Sequence, residues 1–112
     1  MATNRRLAAA NSVCLALQVI EGQAPNTFFT IVVSDELRPD VVYDPADLIA
    51  KINGVPASIV QMTATSAVDM LIELDTPLAA GQVSLTVPPF SNAIRGKTGG
   101  YICQGTYTGF VV

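Results

Sequence analysis

Val68-Asp69-Met70-Leu71-Ile72-Glu73-Leu74-Asp75, followed after a turn by Gln82-Val83-Ser84-Leu85-Thr86-Val87, decides the class of fold. Apolar residues recur at every second position: Val68, Met70, Ile72 and Leu74 in the first stretch, Val83, Leu85 and Val87 in the second. Successive side chains of a strand point to opposite faces, so a period of two marks a strand with one face buried. Thr76 to Gly81 turns the chain between the two, and Pro88-Pro89 ends the second.

Working outward, the same reading gives strands at Val13–Ile20, Thr27–Val33, Ile49–Ile52, Ala57–Thr63 and Tyr101–Val112, the last bent at Gly105 or Gly109. Asn53-Gly54 predicts a type I′ hairpin joining Ile49–Ile52 to Ala57–Thr63. Asp44-Pro45-Ala46-Asp47 is a helix start, with Asp at the N-cap and Pro at the first helical position. Asn53-Gly54 stops that pattern early, so a single helical turn is expected. Seven strands separated by turn residues predict an all-β sandwich or small barrel. Residues 1–12 read as an N-terminal arm, and residues 13–112 as one domain without internal repeats.

Composition narrows the function. The chain has 112 residues, 50% hydrophobic and 13% charged, against about a quarter charged in ordinary globular domains. Disordered chains are charge-rich and apolar-poor, so that class is excluded. Six basic against nine acidic residues offer no basic face for nucleic acid. No uninterrupted apolar run is long enough for a membrane-spanning helix. The absence of His removes Ser-His-Asp and Cys-His catalytic sites and every His-based metal site. The start of the chain lacks a clean export signal, because Asn11, Ser12 and Gln18 interrupt the apolar stretch after Arg5-Arg6. Cys14 and Cys103 could staple the first strand to the last, but the expectation is two buried free thiols in a cytoplasmically made protein.

Three constellations carry possible chemistry. Ser91-Asn92-Ala93-Ile94-Arg95-Gly96-Lys97-Thr98 approaches a phosphate-binding loop, but Ser91 replaces the first Gly and a strand, not a helix, follows. A flexible, exposed loop is expected there. Asp35, Glu36, Asp40, Asp44 and Asp47 form an acidic cluster, read as a solvated loop with a capping Asp; Ca²⁺ through oxygen ligands and acid–base catalysis on glycosides are the alternatives. No other cofactor is expected. Tyr101 and Tyr107 share one parity of the last strand and Phe110 takes the other, so they form no single stacking platform. Tyr is favoured at interfaces. With Leu71 and the arm residues Arg5 and Arg6, these three aromatics are the candidate partner-contacting residues.

The order of motifs resembles bacterial Ig-like domains of surface proteins. It runs Phe29-Thr30-Ile31-Val32-Val33-Ser34-Asp35-Glu36-Leu37, then Asp44-Pro45-Ala46-Asp47-Leu48 and Ile52-Asn53-Gly54. Ile72-Glu73-Leu74-Asp75-Thr76-Pro77-Leu78-Ala79-Ala80-Gly81, Val83-Ser84-Leu85-Thr86-Val87 and a Gly-rich loop complete it. The resemblance covers residues 13–112 and implies an Ig-like antiparallel β-sandwich of about seven strands. The family's Asp and Gly-Asn pair is missing from residues 92–98, which argues against transferring a calcium site. Related modules occur on phage heads and tails. The expectation is therefore a non-enzymatic interaction protein: a virion decoration, cement or fibre component binding capsid or tail proteins, or a homo-oligomer. The alternative is a carbohydrate- or cell-surface-binding adhesion module, secreted or at the cell surface.

Overall fold

The computed structural model of the chain describes residues 14–38, 43–97 and 100–112. Eight strands form one sheet: β1 (Leu17–Gly22), β2 (Phe28–Val33), β3 (Ile49–Ile52), β4 (Val55–Ala57), β5 (Ile59–Ala64), β6 (Asp69–Leu74), β7 (Gly81–Val87) and β8 (Gly105–Val111). Their order is β4-β3-β7-β8-β1-β2-β6-β5. All pairings are antiparallel except β1 with β8, which is parallel and has the single register pair Gly22 with Val111. The sheet thus rolls into a nearly closed, barrel-like sandwich whose halves, β4-β3-β7-β8 and β1-β2-β6-β5, share one core.

The period of two explains that core. Met70, Ile72 and Leu74 of β6 point inward, as do Val83, Leu85 and Val87 of β7, while Val68 just before β6 is half-buried. Phe29 faces Ile72 and Ile31 faces Met70 across the β2–β6 ladder, and all four are fully buried. The single helical turn is present as a 3-10 turn at Pro45–Asp47. Asp44 caps it, its Oδ1 accepting from the Ala46 N–H at 3.0 Å.

The expected seven strands become eight because Ala57–Thr63 is not one strand. Asn53 (φ 50) and Gly54 (φ 83) both lie in the left-handed region, as a type I′ turn requires. That hairpin pairs β3 only with the short β4. Pro56 has no N–H for a further ladder, which suits it to an edge strand. At Ser58 the chain crosses to the opposite edge of the sheet. Asp75 holds it there: the Ser58 N–H donates to Asp75 Oδ1 at 3.1 Å, and the Asp75 N–H to the Ser58 carbonyl at 2.9 Å.

Three further expectations change. Cys14 and Cys103 are joined in a disulfide, their Cα atoms 4.9 Å apart, so they are not free thiols. The chain around Leu15 lies beside Ile102 in a parallel bridge, which brings the two cysteines together. The first strand begins at Leu17 rather than Val13, and the last at Gly105 rather than Tyr101. Val13 and the arm 1–12, with Arg5 and Arg6, lie outside the described residues. Residues 91–96 are no exposed loop. Ser91 and Ile94 are fully buried and Ala93 nearly so, because Gly96 bridges Leu37 and packs on the Leu15 side chain.

Candidate interaction surfaces

The disulfide marks one end of the sandwich, and residues 88–97 and 100–103 lie over it. The Leu15 N–H donates to the Tyr101 carbonyl at 2.7 Å and the Cys103 N–H to the Leu15 carbonyl at 2.8 Å. Phe90 follows two prolines with φ 57 and stands 81% exposed. A bulky residue in the left-handed region is uncommon and costs backbone strain. Its ring meets that of Tyr101 edge-on at 6.3 Å. The Arg95 guanidinium lies over the other ring, 4.4 Å from its centroid, and donates from Nη1 to Asn92 Oδ1 at 3.0 Å. This aromatic–guanidinium cluster has the residue types that dominate binding hot spots. Tyr101 was legible as a candidate; Phe90 and Arg95 were not, because only the fold brings them together.

The other candidates scatter. Phe110, 84% exposed, lies near the opposite end of β8 from Tyr101. Leu71 is half-buried in the middle of the outward face of β1-β2-β6-β5, across from Thr30 and Thr63. Tyr107 points inward opposite Leu85, and its hydroxyl donates to the Cys103 carbonyl at 2.8 Å. It therefore fastens the approach to β8 and is not offered to a partner.

Burial pushes the Tyr107 hydroxyl above its ordinary value of 10.0. Burial also raises Tyr43, although the hydrogen bond to Arg38 and that residue's charge pull the other way. The unfolded chain then loses these protons before the folded one, so stability is full below about pH 10 and falls as pH rises through the folded values. Tyr107→Phe should cost about 1 kcal/mol at neutral pH and make the alkaline decline shallower. Denaturant melts of both proteins across the alkaline range measure this; parallel declines would refute it.

The two outward faces differ in charge. On β4-β3-β7-β8 the outward residues are Ile49, Lys51, Pro56, Gln82, Ser84, Thr86, Thr106, Thr108 and Phe110. Lys51 is the one charge among them, and Thr86 and Thr106 share a hydrogen bond at 3.1 Å between their hydroxyls. The face of β1-β2-β6-β5 shows Glu21, Asp69 and Glu73 among Val19, Phe28, Val32 and Leu71, and those strands contain no basic residue.

The acidic cluster disperses. Asp35 accepts from the Glu36 N–H, Glu36 pairs with Lys97 at 3.2 Å, and Asp44 caps the 3-10 turn. Asp40 lies outside the described residues. Among the described residues no three Asp, Glu or Cys side chains converge as a metal site, and no helix is long and apolar enough to cross a membrane. The described residues also form two shallow hollows. One, about 360 Å³, lies between Glu36, Lys97 and the Ala64–Ala67 turn. The other, about 370 Å³, lies at the far end beside Glu21 and Phe28.

No protein-family model and no curated protein matches the chain. Among solved structures, the N-terminal part of the bacterial S-layer protein SbsC superimposes with a TM-score of 0.69 at 10% identity, covering 95% of this chain and 25% of that one. The longer fragment rSbsC(31-844) gives 0.69 at 10% identity, covering 94% and 14%. The structure of SbsC domains 1-6 gives 0.68 at 10%, with the same coverage. The likeness is one of fold, and this chain spans a quarter or less of those proteins.

Proposed function

We propose that the chain is a non-enzymatic, Ig-like structural module that assembles with other protein modules at a cell surface. The observation that carries this reading is the outward face of β4-β3-β7-β8, where nine residues include a single charge. Depletion of charge together with exposed aromatic and aliphatic side chains, here Phe110 and Ile49, is the composition of a surface that becomes covered. The strand order supports the Ig-like part. Constant-type immunoglobulin domains set strands A, B, E and D against C, F and G. Here β1-β2-β6-β5 stands against β3-β7-β8, with β4 added beside β3.

Two observations favour a cell surface. The structural neighbours are S-layer proteins, and the Cys14–Cys103 disulfide suits an oxidising compartment. The virion setting drawn from the sequence finds no support among those neighbours. A second reading, glycan binding, is favoured by the Phe90–Tyr101–Arg95 cluster, since aromatic rings beside polar side chains suit sugar rings.

Light scattering of the full chain over a wide concentration range, with electron microscopy of the concentrated samples, tests the first reading. Ordered oligomers or sheets are expected. A monomer throughout, combined with retention on immobilised glycans that Phe90→Ala abolishes, would replace assembly by the second reading.

A further inference from the structure

The hollow at the end of the sandwich opposite the disulfide is lined by Glu21, Gln23, Asn26, Phe28, Thr30 and Val112. An exposed carboxylate beside an aromatic ring is a seat for a cation. The carboxylate supplies charge-assisted hydrogen bonds and the ring face supplies cation–π attraction, both best met by a guanidinium. The surrounding outward face adds Asp69 and Glu73 to Glu21, and β1, β2, β5 and β6 bring no basic residue to balance them. The occupant must therefore be basic, with apolar neighbours to suit Val19, Val32 and Leu71.

The chain's own basic residues can be compared with that requirement. Arg95 lies over Tyr101, Lys97 pairs with Glu36, and Arg38 lies beside Arg95, its backbone N–H donating to the Arg95 carbonyl. Lys51 lies among the hydroxyls of the opposite face. Arg5-Arg6, followed by Leu7-Ala8-Ala9-Ala10, is the segment that joins adjacent guanidinium groups to apolar residues.

Chain direction and length together favour a second copy as the supplier. Cys14 stands at the disulfide end and Glu21 near the other end of β1. Seven residues of strand separate them, about 23 Å, whereas the eight residues from Arg6 to Cys14 reach about 26 Å when fully extended. Within one molecule the arm would have to reverse direction and then span the whole strand, leaving almost no slack. Toward a copy stacked beyond the disulfide end there is no such reversal.

We infer that Arg5 and Arg6 of one copy dock in the Glu21–Phe28 hollow of a second copy, joining copies head to tail. This rests on the assembly reading and names its partner. Such a contact is heterologous: the donor and acceptor surfaces differ, so copies add without closing on a two-fold axis.

Sedimentation velocity of full-length variants tests it. Arg5→Glu/Arg6→Glu and, separately, Glu21→Arg should each weaken self-association roughly tenfold or more. An equimolar mixture of the two should associate again, because the acidic arm now meets a basic hollow. Near-native melting of each variant shows that the fold is kept. If the arm variant associates like the parent, the docking is overturned while assembly stands. If the parent itself stays monomeric at every concentration, both fall.

Discussion

Gly109→Ala is expected to lower stability by about 3 kcal/mol, a fall in Tm of roughly 12 °C for a domain of this size. β8 passes β1 so closely here that a Cβ on residue 109 would be driven into the backbone carbonyl of Ile20. Backbone cannot rotate aside as a side chain can. The added methyl must therefore push the two strands apart where they join the halves of the sandwich. Gly54→Ala is the comparison: a Cβ there meets nothing within 4 Å, although the residue's φ is +83. Only the left-handed backbone resists it, at about 1–2 kcal/mol. Equal losses in the two variants would show that close approach at Gly109 does not limit the fold.

The second large effect belongs to the disulfide. Cys14 and Cys103 are 89 residues apart in sequence, so the bond removes much of the freedom of the unfolded chain. The chain-entropy model puts this at about 4.6 kcal/mol for a loop of that length. Cys14→Ser/Cys103→Ser should then melt roughly 18 °C below the parent. Reductant should bring the parent down to the same temperature. Against a total stability of about 5–15 kcal/mol, such a loss leaves a measurable unfolded fraction under mild heating. Unchanged melting in reductant would mean that the segment beside Ile102 holds without its covalent tie.

Much of the fold was legible because the pattern was local. Val83, Leu85 and Val87 announced both their strand and its buried face, and Asn53-Gly54 announced its turn. What failed depended on distant partners. Nothing in Ala57–Thr63 reveals that Asp75 draws the chain across at Ser58, so one strand was read where two exist. Two cysteines carry no record of which strands will be neighbours. The stretch at 91–97, with Ser91, Asn92, Arg95, Gly96 and Lys97, reads as an exposed polar loop, yet Ile94 fills the core. The candidate surfaces were less legible still. Tyr107 has an interface residue's chemistry, and its hydrogen bond to Cys103 spends it internally.

The position of the covalent bond has a mechanical consequence. Cys14 and Val112 stand at opposite ends of the molecule, and the bond joins residue 14 directly to residue 103. Tension applied between these ends would travel through the sulfurs and along β8, bypassing everything from Leu15 to Ile102. With the bond intact, extension is limited to about 31 Å, the stretched length of residues 103–112. Reduction would release a chain of roughly 330 Å. An oxidised module would behave as a nearly inextensible link under pull, and a reduced one as a spring that can unravel.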